Sequence, residues 1–139
     1  MFCEEVVFSE LAQIKLNPQS SKRLEQDFLE NFYETFWNVY PEPEIALRFL
    51  ENRYFLKKEL KKGIQVLEHL LRLDSENPVH YYRLGCLYAS LKMKEKAFQA
   101  LESAITLGFH DKELLENEEM LDFLRGEDSF KALLNKLSS

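Results

Sequence analysis

Apolar residues recur at helical spacing through most of the chain. Tyr81, Leu84 and Tyr88 stand at i, i+3 and i+7, on one face of a helix, and Gly85 beside them leaves that face thin. After the polar stretch LKMKEK, residues Ala97, Leu101, Ala104 and Ile105 set out a second such face with small residues at two contact points. The pattern predicts two antiparallel helices joined by a short turn, approaching closely at Gly85. The stretch LEQDFLENFYETFWNVY, residues 24–40, is different. Wound as a helix, its Leu24, Phe28, Leu29, Phe32, Tyr33, Phe36 and Trp37 span an arc of roughly 220°, about twice what one amphipathic face needs. Such a helix needs cover on two sides. A helix around Val7, Leu11 and Ile14 can supply one cover and the helix of Leu47, Leu50 and Tyr54 the other, which predicts a monomer; the alternative is a second subunit or a client protein at that surface.

Composition narrows the fold class to all-α. Only four Gly and four Pro punctuate 139 residues rich in Leu, Glu, Lys and Phe, and 45% apolar content is enough to build a core. One domain is expected, with an N-terminal helical pair over 1–43, helix pairs over 44–77 and 78–109, and closing helices over 110–139. The net charge of −6 is unevenly spread: residues 1–43 carry 3 basic and 8 acidic side chains, residues 44–109 carry 11 and 8, and residues 110–139 carry 4 and 8. Acidic ends argue against nucleic acid as a partner, where one basic face should dominate. The opening MFCEEVVFSELAQ holds no apolar run long enough for a secretory signal or a spanning helix, so a cytoplasmic protein with no membrane partner is expected. Cys3 and Cys86 then read as reduced thiols, Cys86 as a small packing residue.

The chemistry-bearing residues form no catalytic constellation. Gly63, Gly85, Gly108 and Gly126 are isolated, so no phosphate-cradling loop is present, and His69, His80 and His110 lack a second His or Cys at ligand spacing. The carboxylates stand outside apolar runs that would raise their pKa for acid-base work. These readings lead to an expectation of no enzyme activity, no cofactor and no metal.

The spacing of the middle region resembles the tetratricopeptide repeat, a 34-residue helix-turn-helix. With Pro78 as the first position, Tyr81, Leu84, Gly85, Tyr88, Ala97, Leu101 and Ala104 fall on the family's pattern, and with Glu44 as an earlier start, Leu47, Leu50, Tyr54, Gly63 and Leu67 do so too. Glu51 and Leu70 depart from it, standing where small residues are usual, and the region before residue 44 reads as a degenerate helical pair. Downstream, Leu124, Arg125, Phe130, Leu133, Leu134 and Leu137 resemble the tail that closes many bacterial repeat arrays, implying a short α-solenoid with a helical cap.

The resemblance implies a concave peptide groove lined by the first helix of each pair. Carried over, its positions are Ile45, Arg48, Phe49, Asn52 and Phe55, then Val79, Tyr82, Arg83, Cys86 and Ala89. Two guanidiniums and an amide there would suit an acidic or C-terminal carboxylate group of a protein or peptide client. Arg48 and Asn52 also match half of the clamp by which co-chaperones hold acidic chaperone tails, whereas Arg83 stands where that clamp has Asn. Lysines at 57, 58, 61, 62, 92, 94 and 96 fall at the predicted turns, as a solubilising rim or a weak site for an acidic partner. The function expected is therefore a protein-interaction module; the alternatives are a self-associating or regulatory scaffold, and a small acidic chaperone of a secretion or assembly system.

Overall fold

The computed structural model describes residues 18–39 and 43–138, most of them helical. The fold is all-α, as the pattern predicts, and among the described residues no helix is long and apolar enough to cross a membrane. The chain divides into two compact units, Met1–Phe49 and Leu50–Ser139, and the division falls inside a helix.

In the first unit, α1 (Pro18–Phe36) runs into a 3₁₀ turn (Trp37–Val39) and is followed by the first half of α2 (Pro43–Lys57). Both helices begin on a proline, whose fixed φ suits a first helical position and whose missing N–H would be unpaired there anyway. The wide apolar arc of α1 becomes an aromatic ladder. Phe32 lies 6.0 Å from Phe28 and 5.1 Å from Phe36 between ring centroids, and Tyr33 lies 5.1 Å from Phe49. Phe28, Leu29, Phe32 and Tyr33 are half-buried, but Leu24, Phe36 and Val39 remain exposed. Val7, Leu11 and Ile14, expected as cover, lie outside the described residues, as does Cys3.

The second unit holds the end of α2, then α3 (Leu60–Leu73), α4 (Pro78–Ser90), α5 (Lys94–Thr106), the short α6 (Lys112–Asn117), a 3₁₀ turn (Glu119–Leu124) and α7 (Asp128–Ser138). Helix α4 is its centre, packed against α3, α5 and the 3₁₀ turn. Leu67, Leu87, Leu101, Leu121 and Leu124 are fully buried around it, each worth about 1.5–3 kcal/mol by removal from water. Gly85 lets α4 and α5 approach: a Cβ there would stand 2.8 Å from Leu101 Cγ. Gly63 on α3 plays the same part more loosely, its Cβ position lying 3.0 Å from Leu87 Cδ1.

The helix ends repeat the same 34-residue spacing in their backbone hydrogen bonds. After α2, Lys58 N–H donates to Phe55 O and Glu59 N–H to Tyr54 O; after α4, Lys92 N–H donates to Ala89 O and Met93 N–H to Tyr88 O. Each acceptor and donor is displaced by 34 residues, and Lys58 and Lys92 share a left-handed backbone, with φ of 56° and 62°. The same paired bonds close α5, where Gly108 takes the left-handed position at φ 109°. This is the αL termination that satisfies a helix's last carbonyls and turns the chain back at once. Helix starts are secured differently: Asn77 accepts from Val79 N–H at 3.0 Å with Pro78 next to it, and Asp111 accepts from Leu114 N–H at 2.9 Å.

Candidate functional site

Two faces of α4, roughly 120° apart around its axis, have opposite fates. The first is the face that the resemblance assigns to an open groove. Tyr82, Cys86 and Ala89 on it are buried, covered by the segment that follows α5. Phe109 stacks on Tyr82 with ring centroids 4.6 Å apart and planes 10° from parallel, and the 3₁₀ turn sets Leu121 and Leu124 into the core. Arg125 holds this covering segment in shape by donating to the carbonyls of Leu115, Glu116 and Glu118 and to Asp122 Oδ1. The expectation that Tyr82 and Cys86 line an open groove is thus corrected. The tail closes over α4 itself, its Phe109, Leu121 and Leu124 joining one apolar cluster with Tyr82, Cys86 and Ala89.

Burial also fixes the chemistry of these two side chains. Removal from water pushes the Cys86 thiol up to about 12, and pushes the Tyr82 phenol well above its ordinary 10.0, with Cys86 and then Glu118 adding to the shift. Both groups stay protonated at neutral pH.

The two guanidiniums of the predicted groove are each already paired with a glutamate. Arg83 Nη1 donates to both oxygens of Glu51, at 2.8 and 2.6 Å, and its guanidinium lies over the Phe55 ring, 4.8 Å from the centroid. Glu51 is only 5% exposed, so this residue, out of pattern in the sequence, is a buried acid neutralised by Arg83. Arg48 pairs with Glu44 one turn away at 2.5 Å. Phe49 is half-buried against Tyr33, while Asn52, Val79 and Ile45 are exposed. The lysines at the turns are largely engaged with neighbours: Lys94 with Glu127 at 2.8 Å, Lys92 over Phe123 at 4.6 Å, Lys96 over Tyr88 at 5.6 Å and Lys57 with Glu59 at 3.7 Å.

The second face of α4 is open. Tyr81 and Tyr88, two turns apart and so ~10 Å from each other along the axis, are both half-buried, with Leu84 between them almost fully buried. Beside them α5 presents Gln99 and Ser103. These residues border two adjoining cavities, of about 610 Å³ towards Ser75 and Thr106 and about 290 Å³ towards Tyr88 and Lys96. Tyr81, Gln99 and Ser103 line both, so the two form one groove along α4. On the α3 side the Tyr88 hydroxyl makes a long 3.4 Å contact to Glu68 Oε1, and partial burial together with this carboxylate raises its pKa. The sequence reading assigned Tyr81 and Tyr88 to packing and passed over Gln99 and Ser103. The available signal was a run of hydrogen-bonding side chains at i, i+4 and i+7, Gln99, Ser103 and Thr106, next to two tyrosines at i and i+7.

No protein-family model matches the chain, and no curated protein matches it at a significant level. Among the described residues, no three His, Cys, Asp or Glu side chains gather into a group that could hold a metal ion.

Proposed function

We propose that the chain is a protein-interaction module built on tetratricopeptide-like helix pairs, and that it receives a segment of a client protein in the groove along α4. The groove carries this reading: it joins two tyrosines that keep part of their rings exposed to a bank of unburied amide and hydroxyl groups, the combination that holds a peptide by apolar contact and hydrogen bonds. The turn backbone recurring after 34 residues supports the repeat resemblance independently of side-chain identity. A cytoplasmic setting belongs to the same reading, since Cys86 is a free buried thiol. Selecting random displayed peptides on the full chain and following a selected peptide by amide NMR tests it. Shifts centred on Tyr81, Gln99 and Ser103 are expected; binding that leaves those amides unmoved would reject the groove as the site.

A second reading, self-association, draws on the first unit, where Phe36 is 45%, Ile45 59% and Val39 71% exposed. Sedimentation of the full chain separates the two, because a self-associating scaffold forms dimers without any client.

A further inference from the structure

We draw no further inference here: the strongest candidate, the surface patch of exposed apolar side chains Phe36 and Val39 where α1 runs into its 3₁₀ turn, carries nothing because nothing in the structure shows what covers it.

Discussion

The two exposed-side faces of α4 begin alike in sequence and end differently. Tyr82, Cys86 and Ala89 are sealed under Phe109, Leu121 and Leu124, whereas Tyr81 and Tyr88 keep contact with water beside Gln99 and Ser103. Each face carries tyrosine, Tyr82 on the first and Tyr81 with Tyr88 on the second. What separates them is the tail: residues 109–124 bring apolar side chains back to one face only, and the face left over becomes the groove. In a short stack of helix pairs, the surface left open is therefore set by where the closing segment lands.

The comparison breaks first at the sealed face. Leu121→Ala removes a fully buried side chain from the cover over α4 and is expected to cost about 2–5 kcal/mol, read as a lower urea midpoint at an unchanged slope. Gln99→Ala on the open face should stay within about 0.5 kcal/mol of wild type. Equal effects at the two positions would mean that the tail does not cover α4.

The buried pair gives the next largest change. Arg83→Ala leaves the Glu51 carboxylate buried without its partner, for an expected loss of about 1–3 kcal/mol, less than for a fully buried pair because Arg83 keeps some contact with water. Removing both charges in a Glu51→Leu, Arg83→Met double variant should recover much of that loss in thermal denaturation. A destabilisation that the double variant fails to relieve would place the cost in lost packing on Phe55 instead.

The smallest test sharpens the chemical side of the comparison. Cys86 and Tyr82 are neutral in both folded and unfolded states at low pH, and in the unfolded chain they ionise near their ordinary 9.0 and 10.0. The folded state holds those protons longer, so stability is fully present below pH 9 and falls as pH rises towards the folded value of about 12, by about 1.4 kcal/mol per pH unit for each proton. Thermal midpoints measured from pH 8 to 10.5 should decline, and Cys86→Ala should flatten the early part of the decline. An unchanged profile in that variant would show that water reaches the thiol.

The helices and the close contact at Gly85 were legible in the sequence because they depend on local properties: period, residue size and turn residues within one repeat length. Gly85 against Leu101 and the turns at Lys58 and Lys92 all fall where the pattern puts them. The site was legible only as a list of positions. Whether Tyr82 faces a client or Phe109 depends on a return of the chain across more than 25 residues, and whether Arg83 is a free cation depends on Glu51, 32 residues earlier and unremarkable as a lone glutamate on a helix. Local spacing of apolar and small residues is enough to form these helices and to pair them. Which face stays open is settled only when the chain packs on itself, because covering an apolar surface is a competition among distant segments, won by whichever removes the most apolar area from water.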